Sequence, residues 1–133
     1  MIREILRNSD DKTLISLVFA NTTEEDILKK KEIDELAKKH SNLRVTYVVS
    51  KPSKSWEKEG KENAKETRVS GLITQELLKT SMPAPAEDIS VYICGPPSFV
   101  KDICGSKTVD YKQGPVDGFL KNLGYNEDMV FKF

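Results

Sequence analysis

The run Leu14-Ile15-Ser16-Leu17-Val18-Phe19-Ala20 places apolar residues almost continuously rather than at alternate positions. That pattern suits a strand buried on both faces. Asn21-Thr22-Thr23-Glu24-Glu25-Asp26 follows at once. It reads as a helix start: Asn or Thr caps the first turn, and the acids sit at the positive end of the dipole. The helix is predicted to reach about Lys39, with Ile33, Leu36, Ala37 and His40 on one face. A second buried strand is expected at Leu43 to Val49. A strand, a crossover helix and a strand imply parallel pairing.

The alternation continues. Residues 1–7 read as the end of a short helix, with Ile2, Ile5 and Leu6 on one face, and Asn8 to Asp11 as a turn. Between Glu57 and Arg68, eight of twelve residues are charged with no apolar period, so 51–68 is expected to be a solvated loop. A short helix is predicted from Gly71 to Leu78, ended by Met82-Pro83-Ala84-Pro85-Ala86. A third strand is expected at Ile89 to Cys94, a helix at Ser98 to Cys104, and a polar loop at Gly105 to Gly114. A last helix should run from Pro115 to Leu123, stopped by Gly124, before a final strand from Met129 to Phe133. The expected fold is α/β: a three-layer parallel sheet with helices on both faces, Rossmann-like.

The chain is 133 residues long, about one domain. With 21 basic and 21 acidic residues the net charge is zero, which argues against nucleic-acid binding driven by bulk charge. No apolar stretch approaches the roughly 18 residues of a membrane span, and the N-terminus lacks a signal-peptide shape. Two cysteines, Cys94 and Cys104, make neither a disulfide framework nor a zinc site, so no metal is expected. A reducing, intracellular compartment fits that usage.

Parallel open sheets bind ligands beyond the carboxyl ends of their strands. Four places qualify: Ala20-Asn21-Thr22, Ser50-Lys51, Cys94-Gly95-Pro96-Pro97, and the chain end. At Cys94, a glycine that permits close approach is followed by two prolines and a helix N-terminus, which favours anions or a carboxamide oxygen. The plainer alternative is a buried structural cysteine before a Gly-Pro turn. Ser50 and Lys51 suit a phosphate, or form an ordinary polar turn. Asn21-Thr22-Thr23 is most simply a helix cap, which is compatible with ligand contact. His40, the one histidine, is read as structural near a helix C-terminus. Lys29-Lys30-Lys31 reads as a solvated helix face, and Trp56 as packing the loop onto the sheet rather than stacking on a purine. Neither GxGxxG nor a Walker sequence occurs.

Together these residues resemble the NAD(P)H-binding half of the ferredoxin-NADP reductase superfamily, closest to the cytochrome b5 reductase type. The resemblance rests on Ile15 to Leu28, Val45-Thr46-Tyr47-Val48-Val49, Gly71-Leu72-Ile73-Thr74, Cys94-Gly95-Pro96-Pro97, and the ending Leu123-Gly124-Tyr125 to Phe133. It implies that Cys94 positions the nicotinamide for hydride transfer to FAD and is not a nucleophile. It implies that Gly95, Pro96 and Pro97 line the nicotinamide and pyrophosphate path, with Phe99 in a position usually held by methionine. Ala20, Asn21 and Thr22 would lie along the dinucleotide, Leu72 near the adenine, and Phe133 near the flavin. The implied cofactors are NADH or NADPH, and FAD bound by a separate upstream domain. The implied partner is a haem or iron–sulfur electron acceptor.

Three departures qualify the resemblance. Where NADH-preferring members carry an aspartate against a 2′-phosphate, this chain has Ser50 followed by Lys51, so tolerance of NADPH is expected. The stretches between Trp56 and Gly71 and over 105–114 look longer than the family pattern. The family's flavin-binding barrel, first strand and glycine-rich turn would precede the helix that Met1 begins, so residues 1–133 are expected to be a partial C-terminal nucleotide domain, inactive alone. Any mitochondrial or endoplasmic-reticulum membrane association would come from an upstream segment. The alternative expectation is a degenerate, non-catalytic interaction domain. A thiol redox pair of Cys94 and Cys104 is a weaker one, since CxxC spacing is missing.

Overall fold

The computed structural model describes residues 1–56 and 65–133. These residues form two compact units, Met1–Ile73 and Thr74–Phe133, each with its own parallel strands.

In the first unit, α1 (Ile2–Arg7) leads to β1 (Ile15–Asn21), α2 (Lys30–Lys39), β2 (Leu43–Val49) and β3 (Glu66–Ser70). The strand order is β1-β2-β3, all parallel. Ile15 lies opposite Leu43 and Asn21 opposite Val49, and Val45 pairs with Glu66. β2 is central, and its alternate residues are buried on both faces: Leu43, Val45, Tyr47 and Val49 on one, Thr46 and Val48 on the other. The first set packs with Leu6, Ile27, Ala37 and Trp56 into the unit's core. The near-continuous apolar sequence of β2 therefore does what such sequences do in covered parallel sheets. β1 carries the same kind of sequence but is half-buried, with β2 as its strand neighbour among the described residues.

The predicted helix from Asn21 to Lys39 forms only from Lys30. Asn21 is the last residue of β1 and caps no helix. Thr23 directs both its N–H and its hydroxyl to Asp26 Oδ2, at 3.0 and 2.9 Å, and Lys29 takes a left-handed φ of 58°. Local side-chain bonding by Thr and Asp competes with helix here. Lys30 is no solvated lysine either. Its Nζ bonds Asp34 Oδ2 at 2.7 Å and Glu66 Oε1 at 3.0 Å, and lies 4.6 Å from the Tyr47 ring centre. Tyr47 donates its hydroxyl to Asp34 Oδ1 at 2.8 Å, and burial first, then Asp34, keeps the phenol protonated.

β3 corrects the expected loop over 51–68. Glu66 and Arg68 pair at 2.7 Å, which lets charged side chains sit half-buried on a strand. The part of that expectation over 57–64 lies outside the described residues. Trp56 is buried, its Nε1 3.4 Å from the Val69 carbonyl and its ring under the Arg68 guanidinium, so it packs the fold as expected.

In the second unit, α3 (Gln75–Ser81) precedes β4 (Val91–Ile93), α4 (Pro97–Cys104), α5 (Gly118–Asn122) and β5 (Val130–Lys132). β4 and β5 pair in parallel, with Val91 opposite Val130 and Tyr92 opposite Phe131. Leu78, Val100, Ile103, Cys104, Val116, Leu120 and Tyr125 are buried. α3 starts later than predicted because Thr74 caps it, accepting from the Leu77 amide at 3.1 Å. α4 begins one residue early, with Pro97 at its first position. α5 is shorter than the predicted 115–123. Asp117 is extended, at φ −142° and ψ −170°, so the chain is not helical before Gly118; the Val116 amide bonds Glu127 and the Asp117 amide bonds Cys104. Gly118 then turns the chain at φ 64°, where a Cβ would stand 2.2 Å from the Asp102 carbonyl oxygen. Gly124 follows α5 with φ 94°, the left-handed conformation its sequence position predicts.

The polar loop 105–114 is anchored by a buried lysine. Lys132 Nζ donates to the carbonyls of Pro115 at 2.7 Å and Ser106 at 3.3 Å. Gln113 exchanges two hydrogen bonds with the Lys132 backbone.

Candidate functional site

The carboxyl ends of the first unit's strands lie side by side. Past the last ladder pair, Ser50 N–H donates to the Asn21 carbonyl at 3.1 Å and Lys51 N–H to the Thr22 carbonyl at 2.8 Å. Gly71 N–H donates to Val49 at 2.8 Å, so the end of β3 joins them. Ala20, Asn21, Thr22, Ser50, Lys51 and Leu72 thus share one end of the sheet, and Ala20, Thr22, Ser50, Lys51 and Leu72 are exposed. Leu72 is 75% exposed, an unusual setting for a leucine that nothing within the unit covers.

Asn21 carries a further signal. Its side-chain Nδ2 is buried yet has no hydrogen-bond partner. An orphaned amide donor costs roughly 1–3 kcal/mol unless an acceptor reaches it. A ligand oxygen at the end of β1 would satisfy it, so this end of the sheet fits a hydroxyl- and phosphate-bearing molecule.

Beside it stands Glu24, which sequence reading treated only as part of a helix start. Its Oε1 accepts the Ser53 amide at 2.8 Å, and that bond holds its carboxyl below the usual range. Nothing in the sequence alone joins residues so far apart; the pairing needs the β1–β2 register.

In the second unit, Cys94 follows β4 and is exposed, whereas Cys104 is buried in α4. The alternative of a buried structural cysteine at Cys94 is therefore overturned; the buried thiol is that of Cys104. Its thiol donates to the Val100 carbonyl at 3.4 Å, and burial pushes its pKa up. A thiol in that state is a poor nucleophile, which removes support from a Cys94–Cys104 redox pair. Gly95 is required by its neighbour: a Cβ there would lie 2.5 Å from the Phe99 ring. Pro96 precedes α4 and supplies no side-chain cap to the helix's first amides.

Phe133 N–H donates to the Ile93 carbonyl at 2.9 Å, which brings the chain end beside the Cys94 turn. Tyr92, Phe131 and Phe133 form an exposed aromatic shelf, with ring centres 5.1 to 6.3 Å apart. The sequence points to Phe133 but not to Tyr92 or Phe131. The signal was the two-residue period of a strand, which puts Tyr92 on the face of Cys94 and Phe131 on that of Phe133. Among the described residues, no three His, Cys, Asp or Glu side chains gather as a metal site would need. No described helix is long and apolar enough to cross a membrane.

Comparison with known proteins points the same way. Residues 1–105 match the family model for an oxidoreductase NAD-binding domain. The NADH-cytochrome b5 reductase 2 of Aspergillus clavatus is 43% identical over this whole chain, which spans 39% of that protein. An NADH-cytochrome b5 reductase-like protein of Arabidopsis thaliana is 41% identical, again over the whole chain and 38% of its length. The cytochrome b5 reductase domain of Ulva prolifera nitrate reductase superimposes with a TM-score of 0.75 at 25% identity, covering 99% of this chain and 43% of that one. The chain thus spans about two-fifths of these relatives. The α/β parallel architecture is shared, and a degenerate interaction domain is not favoured.

Proposed function

Because the chain belongs to the oxidoreductase NAD-binding domain family, we propose that it is the pyridine-nucleotide half of an FAD-dependent reductase of cytochrome b5 reductase type. The observation that carries this is the exposed Cys94-Gly95-Pro96-Pro97 turn beside the aromatic shelf of Tyr92, Phe131 and Phe133. These residues would hold NADH or NADPH, which supplies a hydride; its acceptor would be an FAD carried by another domain of the reductase, with a haem or iron–sulfur partner receiving the electrons.

The chain's own residues bind and orient. Cys94 sets the lateral position of the nicotinamide as a small, soft wall and makes no covalent bond. Gly95, whose missing Cβ makes room for the Phe99 ring, lets the turn close against that ring and present its backbone to the nicotinamide. The uncapped amides after Pro96 and Pro97 offer donors to the pyrophosphate or carboxamide. Asn21 Nδ2 gives its unused hydrogen bond to a ligand oxygen, with Ala20 and Thr22 along the same edge. Leu72 lends its exposed side chain to the adenine face. Ser50 and Lys51 replace the acid that would repel a 2′-phosphate, so NADPH is accepted as well as NADH.

Calorimetric titration of the chain with each nucleotide tests the reading. Saturable one-to-one binding of NADH, weakened by Cys94→Arg and Gly95→Val, is expected. Absence of saturable binding to both nucleotides contradicts it.

A further inference from the structure

The turn Ser50-Lys51-Pro52-Ser53 has few backbone donors left for a ligand. Ser50 and Lys51 direct their amides to Asn21 and Thr22, and Ser53 directs its amide to Glu24 at 2.8 Å. Pro52 has none. A phosphate arriving there meets the Ser50 hydroxyl and the Lys51 ammonium, both exposed. It also meets Glu24, fixed two residues from Lys51 by the Ser53 bond. The hydrogen bond from Ser53, and more weakly the positive charge of Arg68, keep that carboxylate ionised. The subsite therefore joins one exposed cation to one anion held by a backbone hydrogen bond.

We propose that Glu24 is the residue that sets the balance between NADPH and NADH. The Ser53 amide holds its carboxylate beside the Ser50–Lys51 step, where its charge counters the pull of Lys51 on a 2′-phosphate. The proposal rests on the reading of this sheet end as the ribose side of a nucleotide site. A 2′-hydroxyl carries no charge and is largely indifferent to the exchange, whereas a phosphate dianion feels both groups. Glu24 acts from the turn after β1, whereas the position that family patterns single out is Ser50, just past β2.

The test is the ratio Kd(NADH)/Kd(NADPH) for the 133-residue chain, measured by calorimetry at low salt for wild type, Glu24→Gln and Glu24→Ala. Gln keeps an oxygen for the Ser53 amide and removes only the charge. The ratio is expected to rise about fivefold in Glu24→Gln, the size of a like-charge term at a half-exposed site, and to shrink at high salt. Glu24→Ala should raise the ratio similarly while weakening both nucleotides, because it also frees the turn. An unchanged ratio in a Glu24→Gln chain that melts like wild type overturns the role of Glu24 alone. Failure of wild type to bind either nucleotide overturns the nucleotide-site reading, and this proposal with it.

Discussion

Lys51 donates its amide to the Thr22 carbonyl at 2.8 Å, so the ladder between β1 and β2 continues beyond the last residues of both strands. The backbone of Lys51 is fixed while its side chain stays exposed. That combination suits a cation held ready for a ligand. Lys51→Glu should reverse the local preference, lowering Kd(NADH)/Kd(NADPH) by about tenfold, the weight of a charge-assisted phosphate contact. Competition between the two nucleotides in one titration reads this directly.

Gly118 tests the second unit's packing. Its φ of 64° and the Asp102 oxygen 2.2 Å from an added Cβ leave no room for alanine. Gly118→Ala should cost about 2–4 kcal/mol, combining backbone strain and overpacking. Gly71 also has a positive φ, 109°, but open space around it. Gly71→Ala should therefore cost less, near the strain alone, and chemical denaturation of both variants gives the comparison.

The two thiols should react very differently. Cys94 is exposed and should be alkylated promptly by iodoacetamide in the native state. Cys104 is buried with its pKa raised by burial, so its alkylation should follow unfolding. The same shift has a pH consequence. A thiol whose folded pKa is raised favours the fold below its ordinary value of 9.0, and that contribution is lost as pH climbs beyond it. Cys104→Ala should flatten the alkaline loss of stability, measured by thermal melts across that range.

Glu127 acts in the opposite direction. The Val116 amide bonds its carboxylate at 2.9 Å and lowers its pKa. A carboxyl depressed in the fold stabilises above its ordinary value of 4.5, and the contribution disappears as pH falls through the depressed pKa. The protection of the Val116 amide, the slowing of its exchange relative to that of an unfolded chain at the same pH, should fall on acidification below that value. In Glu127→Gln, the exchange rate should lose this extra acid dependence.

What the sequence disclosed follows from how local each signal is. The apolar run of β2 needs no partner to be recognised, and its predicted limits, Leu43 to Val49, are those observed. β3 escaped notice because its charges are matched only in three dimensions, Glu66 by Arg68 and by Lys30. The helix expected at Asn21 failed because capping residues also form turns, and the Thr23–Asp26 bonds decide for the turn. The same contrast divides the site. Cys94-Gly95-Pro96-Pro97 is contiguous and legible, whereas Glu24 enters only when the strand register brings it to Ser53.

The most direct test of the account is an amide shift map of the chain during titration with NADH. Shifts are predicted to concentrate at Asn21, Thr22, Ser50 and Lys51 in the first unit and at Cys94, Gly95, Ser98 and Phe99 in the second. Absence of shifts at the first unit's strand ends, or shifts gathered instead around Lys101, Asp117 and Asn122 on the α4–α5 groove, would contradict the account.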